Sequence, residues 1–264
     1  MSLRSALLTA LPKVALSRAC GVLTTIPLPR RCRAPLFRWF AARYGACLED
    51  VEGDLACFRS LQQFFRRPLH ADARPIAGAD LVWPCDGRIV TTGSLSSGRI
   101  EQIKGQTYAL VDLVGDAELA ASLTGGRQAT IYLAPGDYHR VHSPFRATID
   151  HVTALPGTLF PVNPPAVRCI RDLFARNARH VFACTLPGGV RAAVVMVGAY
   201  NVGGTLITRT GGEVAPGEEI GQFGFGSTTI VLIGKGGPPV PEVGPETRLR
   251  MGQAMASSGC DPTS

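Results

Sequence analysis

The sequence predicts an α+β protein in which basic N-terminal helices precede a mostly β body. Glycine (30) and proline (20) are plentiful in a 264-residue chain that is 45% apolar and 18% charged. That balance favours many short strands joined by turns over a helical bundle or a disordered chain. From about residue 81 onward β-branched runs alternate with turn residues, whereas the segments before it carry apolar residues at helical spacing. The net charge of +7 is concentrated at the start: residues 1–48 hold eight basic groups and no acid, and the remainder, with 19 basic against 20 acidic groups, is near neutral.

In chain order, a helix over 5–18 would place Leu7, Leu8, Leu11, Val14 and Ala15 on one face, with Pro12 an imperfection within it. Pro27, Pro29 and Pro35 are expected to break the chain before a second helix over 36–45. A third, over 58–66, carries Phe58, Leu61, Phe64 and Phe65 at helical spacing, which reads as core. Arg67-Pro68 and Arg74-Pro75 mark an extended linker. Strands are expected at 88–92, 128–134, 147–152, 180–186, 191–199, 203–208 and 228–233, with helical interludes at 111–123 and 169–178. The chain thus divides into membrane-associating helices (1–48), a helix and linker (49–80) and a β-rich domain (81–264) whose strand succession suggests a barrel-like, lipoyl-like closure.

An acid-free basic segment seeks an anionic surface, either membrane or nucleic acid. The interleaved Leu36, Phe37, Trp39, Phe40 and Tyr44 point to a lipid headgroup boundary, the alternative being an arm packed on its own domain. No apolar run approaches the about 20 residues needed to cross a bilayer, so the expected contact is peripheral. An Arg-rich, acid-free start also fits a mitochondrial transit peptide, and the residues do not separate the two. Eight cysteines, at 20, 32, 47, 57, 85, 169, 184 and 260, include no Cys-x-x-Cys pair and read as reduced thiols.

The chemistry centres on Gly224-Phe225-Gly226-Ser227-Thr228, which opens the run Thr228-Thr229-Ile230-Val231-Leu232-Ile233. A serine between a glycine and a buried strand can turn its hydroxyl on the carbonyl just before it, and Gly226 leaves that carbon open to attack. A serine-hydrolase elbow is excluded because position 229 is Thr. Ser227 needs a base. His139 and His142, in Tyr138-His139-Arg140-Val141-His142, lie just past an expected strand and can reach one cavity, while His70, His151 and His180 read as structural. Asp86, in Trp83-Pro84-Cys85-Asp86-Gly87, is a candidate to orient an imidazole from a rigid turn. Zinc binding by the two histidines is disfavoured, because their spacing gives no i, i+4 face and no cysteine stands near.

On these residues the chain resembles the phosphatidylserine decarboxylases of bacteria and mitochondria. The likeness runs through Phe58-Arg59-Ser60-Leu61-Gln62-Gln63-Phe64-Phe65-Arg66-Arg67-Pro68-Leu69, Ala73-Arg74-Pro75-Ile76, Pro84-Cys85-Asp86-Gly87 and Tyr138-His139-Arg140-Val141-His142. It continues through Phe160-Pro161-Val162-Asn163-Pro164 and Leu173-Phe174-Ala175-Arg176-Asn177 to Gly217-Glu218-Glu219-Ile220-Gly221 and Gly226-Ser227-Thr228. The resemblance implies cleavage between Gly226 and Ser227, with Ser227 becoming a pyruvoyl group, His142 and Asp86 completing a self-cleavage triad, and His139 serving decarboxylation. It implies no metal or external cofactor, phosphatidylserine as substrate, two fragments that stay associated, and no nucleic-acid partner, and it leaves a homodimer open. The implied place is the cytoplasmic face of the cell membrane, or the mitochondrial inner membrane in a eukaryote. One departure is Phe225, where the family usually has Leu.

Two rival readings remain at this point. One keeps fold and maturation but changes the amino-acid headgroup of the lipid. The other is a lipoyl-like carrier, which needs a lysine at a hairpin tip; the three lysines, Lys13, Lys104 and Lys235, do not supply a Met-Lys turn.

Overall fold

The structure, a computed structural model, describes residues 23–199, 204–224 and 227–255. The expected helix over 5–18, Phe225 and Gly226 lie outside the described residues.

Helix α1 (Arg30–Tyr44) ends on Gly45, whose φ of 75° and N–H to the Ala41 carbonyl close the last turn. It runs through Pro35 rather than starting after it. A proline inside a helix costs about 3 kcal/mol. Burial of Phe37 and Phe40, at about 1.5–3 kcal/mol each, offsets that. Phe37 stacks on Phe64 at 4.5 Å between ring centroids, and Phe40 meets Phe64 and Phe65 edge-on. These last two belong to helix α2 (Leu61–Phe65), shorter than expected because it begins at its Ser60 cap, whose Oγ accepts from the Gln63 N–H. The aromatic residues expected at a lipid boundary are therefore divided: Phe37 and Phe40 are core, and Trp39 and Tyr44 are exposed.

The strands are β1 (Gly87–Ser94), β2 (Arg99–Ile103), β3 (Gln106–Ala109), β4 (Arg127–Leu133), β5 (Arg140–His142), β6 (Ala147–Leu155) and β7 (Arg179–Thr185). They continue with β8 (Arg191–Gly198), β9 (Leu206–Ile207), β10 (Gly212–Val214), β11 (Glu219–Gln222), β12 (Ser227–Ile233) and β13 (Arg248–Leu249). Eight form one antiparallel sheet in the order β10-β6-β7-β8-β12-β4-β1-β13. Among the described residues the barrel-like closure suggested by the sequence does not form. The sheet stays open, and its edges are blunted by the three-residue β10 and the two-residue β13.

Each face of this sheet has its own core. Ile230 and Leu232 of β12 point toward helices α3 (Leu110–Val114), α4 (Ala117–Leu123), α5 (Pro164–Cys169) and α6 (Leu173–Arg176). Val231 and Ile233 point the other way, toward Val141 and Ile220 of the small sheet β5-β11-β9. Burial on both faces is why β12 reads as a continuous β-branched run instead of an alternation. The helix expected over 111–123 is split in two at Gly115, which has φ of 69°, and Asp116 caps the second half through the Glu118 and Leu119 N–H groups. Of the strand expected over 203–208, residue 203 lies outside the described residues, and among the rest Leu206–Ile207 pairs.

Candidate active site

Ser227 is the first residue of β12, opposite Leu133 of β4 and Gly198 of β8. Its side chain is fully buried, and its Oγ has no hydrogen-bond partner among the described residues. An unmet buried hydroxyl costs about 1–3 kcal/mol, so its position at the mouth of a central strand calls for a function.

Past Leu133 the chain turns through Ala134-Pro135-Gly136-Asp137. The turn is closed by the Asp137 N–H to the Ala134 carbonyl and by the Ala134 N–H to the Asp137 carboxylate (2.7 Å). Gly136 is required there, because a Cβ would collide with the Tyr44 carbonyl at the end of α1. The turn returns His139 to the approach to β12, where the Phe223 N–H donates to the His139 carbonyl at 2.9 Å. Ser227 and His139 thus occupy the same end of the sheet.

Both candidate imidazoles are held by backbone carbonyls. His139 Nδ1 lies 2.8 Å from the Asp137 oxygen, and His142 Nδ1 lies 2.8 Å from the Gly217 oxygen. A carbonyl only accepts, so each Nδ1 carries the proton and each Nε2 presents a lone pair. They differ in what meets that lone pair. His139 Nε2 is buried without a partner among the described residues, whereas His142 Nε2 accepts from the Tyr138 hydroxyl at 3.2 Å. Burial, reinforced by the Arg67 guanidinium, pushes the His139 pKa down to about 3. Burial lowers that of His142 as well, and holds the Tyr138 phenol protonated by raising its pKa to about 12. The Phe65 ring lies 3.9 Å from the His139 ring, so the N-terminal aromatic cluster forms one wall of the site.

Asp86 is buried in the turn that leads into β1, where a Cβ on Gly87 would lie 2.5 Å from the Tyr132 carbonyl. In the continuous chain its carboxylate does not hydrogen-bond an imidazole, as the sequence suggested it could. It is gripped by Arg74 through Nε (2.9 and 3.2 Å) and Nη2 (2.5 Å), and it accepts the Met251 N–H at 2.9 Å. Arg74 also reaches Asp50 at 2.8 Å. A buried carboxylate needs a counter-charge, and the planar guanidinium fork satisfies both oxygens together. The Asp86 charge still acts on His142 through space, favouring its protonated form.

Sequence reasoning missed Arg74 and Tyr138. The sequence places Arg74 in a linker and within the family likeness but gives it no role, because its partners, Asp86 and Asp50, come from other segments. Tyr138 adjoins the histidine motif, and an aromatic hydroxyl four residues before His142 was the available signal. Among the described residues no group of three or more His, Cys, Asp or Glu is arranged to hold a metal ion.

Residues 61–257 match the family described as phosphatidylserine decarboxylase. The chain belongs to the phosphatidylserine decarboxylase family. Its relatives include the phosphatidylserine decarboxylase proenzyme of Anaeromyxobacter sp. (strain K), 40% identical over 95% of this chain and 96% of the relative. The proenzymes of Verminephrobacter eiseniae and Chromobacterium violaceum are each 38% identical, covering 96% and 94% of this chain and 96% of each relative. As a member of this decarboxylase family the chain is an enzyme rather than a lipoyl-like carrier. The family match takes in Asp86, His139, His142 and Ser227, and begins at the first residue of α2.

Proposed function

We propose that this decarboxylase matures by cutting itself between Gly226 and Ser227 and then converts phosphatidylserine to phosphatidylethanolamine. The observation that carries the reading is the Ser227 hydroxyl, buried and unpartnered, directly after a glycine and at the end of the sheet that also carries His139. In maturation Ser227 Oγ attacks the Gly226 carbonyl carbon and the peptide C–N bond breaks, leaving an ester. Loss of the Cα proton then expels the Gly226 carboxylate, and water replaces the residue's nitrogen, released as ammonia, to leave a pyruvoyl ketone. His142 serves as base for the first step, with its Nδ1–H held by the Gly217 carbonyl, the Tyr138 hydroxyl at its Nε2 and the Asp86 charge favouring its protonated form. His139, neutral and with an unpartnered Nε2 lone pair in a dry wall, takes up a proton there from the substrate's ammonium group and returns it to Cα in turnover.

The pyruvoyl ketone supplies the electron sink for the breaking C–CO₂ bond. Ser227 fits that group: it is walled by strands on both sides, and burial excludes water from its side chain. The same pairing supports continued association of the fragments, since β12 remains laddered to β4 and β8 over seven residues on each side.

Helix α1 supports a peripheral place at a membrane. Among the described residues no helix is long and apolar enough to cross a membrane. The outward face of α1 carries Trp39, 60% exposed, among Arg31, Arg38 and Arg43, and Leu23 and Ile26 are exposed just before it. This face lies on an anionic bilayer, with the indole at the headgroup level and each arginine near the surface contributing about 1 kcal/mol. Intact-mass measurement tests the maturation: the expected products are fragments of 226 and 38 residues, the smaller with a pyruvoyl terminus, and a Ser227→Ala chain that stays whole. An uncut wild-type chain that still decarboxylates would overturn it.

A further inference from the structure

Beside the candidate active site lies a cavity of about 350 Å³ whose walls include Arg67, Arg74, Arg88, Arg248 and Arg250. Its carboxylates do not neutralise it. Asp50 and Asp86 are taken up by Arg74, and Asp137 is engaged by the Ala134 N–H. Among the described residues Arg88 pairs only with an exposed Glu246, at 3.5 Å, and Arg250 reaches Asp50 only at 3.8 Å.

Arg67 is the unusual member. It is 2% exposed, and its Nη2 donates to the Gly136 and Asp137 carbonyls, yet its Nε and Nη1 have no partner among the described residues. Its guanidinium lies over the Phe64 ring at 5.2 Å, which fixes its plane. A buried cation with two unmet donors is costly unless something else completes it. Guanidinium groups gathered around one cavity supply the positive charge and planar donors that the oxygens of a phosphate accept.

We propose that this cavity is a phosphate-binding site, with Arg67 at its base and Arg248 and Arg250 at its rim. Two sources have this chemistry: the phosphodiester of the lipid substrate, whose headgroup would enter next to Asp86 and Tyr138, or a free phosphate. The first source rests on the proposed lipid decarboxylation; the site itself does not.

The test uses full-length wild-type protein and measures binding of inorganic phosphate and of glycerophosphoserine by calorimetry, with no lipid turnover in the readout. Saturable phosphate binding is expected, weakened about tenfold or more by Arg248→Gln with Arg250→Gln. Arg127→Gln, at the opposite end of β4, should leave it unchanged. Arg67→Gln should weaken binding further, and the rim variants decide the question if that protein does not fold. Glycerophosphoserine that displaces phosphate assigns the site to the headgroup; phosphate binding that the diester does not displace assigns it to free phosphate. No saturable binding, or binding indifferent to the rim variants, overturns the site. Normal phosphate binding in a protein that neither cuts itself nor decarboxylates would instead count against the proposed function alone.

Discussion

The buried neutral state of His139 should appear as a loss of stability on acidification. Its folded pKa of about 3 lies below the ordinary 6.5. Because the folded value is depressed, the stability is fully present above about pH 6.5 and is lost as pH falls toward 3. In that window the unfolded imidazole takes up a proton that the folded one refuses. Each pH unit is then worth about 1.4 kcal/mol, so acidification to about pH 5 should remove about 2 kcal/mol through this one group. The perturbation is His139→Asn in a Ser227→Ala background, where the chain stays in one piece and unfolding is that of a single polypeptide. Urea denaturation at about pH 7.5 and about pH 5 gives the stability of both proteins. Contributions of His142, His180 and the carboxylates are common to both and cancel in the comparison. The Ser227→Ala protein should lose about 2 kcal/mol more than the double variant between the two conditions. An equal loss in both would refute a buried, neutral His139, and with it the dry wall assigned to the decarboxylation step.

Arg74→Met strands Asp86 without its counter-charge and leaves Asp50 only the more distant Arg250, and removing one partner of a buried pair costs about 3–5 kcal/mol; the thermal unfolding midpoint and the rate of self-cleavage on denaturing gels should both fall. Asn177 is fully buried and bonds Phe160 at both its N–H and carbonyl and Gly198 at its carbonyl, so Asn177→Ala should cost about 3 kcal/mol. Cleavage should slow with it, because Gly198 is the β8 partner of Ser227. On α1, Phe37→Ala should destabilise by about 3–5 kcal/mol without weakening flotation on anionic liposomes. Trp39→Ala should do the reverse, weakening flotation with stability changed by less than about 0.5 kcal/mol.

The β12 run, the basic start of the chain and the aromatic spacing of 58–66 were all legible from local pattern, because side-chain period and charge are properties of neighbouring residues. The Gly226-Ser227 step and the two histidines could likewise be singled out as chemistry-bearing residues by type and spacing. Tertiary structure decided what those residues meet. Whether a succession of strands closes into a barrel depends on whether its edge strands find each other, and β10 and β13 do not. Phe37 and Phe40 could serve a membrane or a core equally well by composition; α2 packing against them made the choice. The partners of Asp86 come from Arg74, 12 residues before it, and Met251, 165 residues after it. No local pattern could pair them, since a buried charge is satisfied by whichever donors the folded surfaces bring within reach, and that depends on the whole path of the chain.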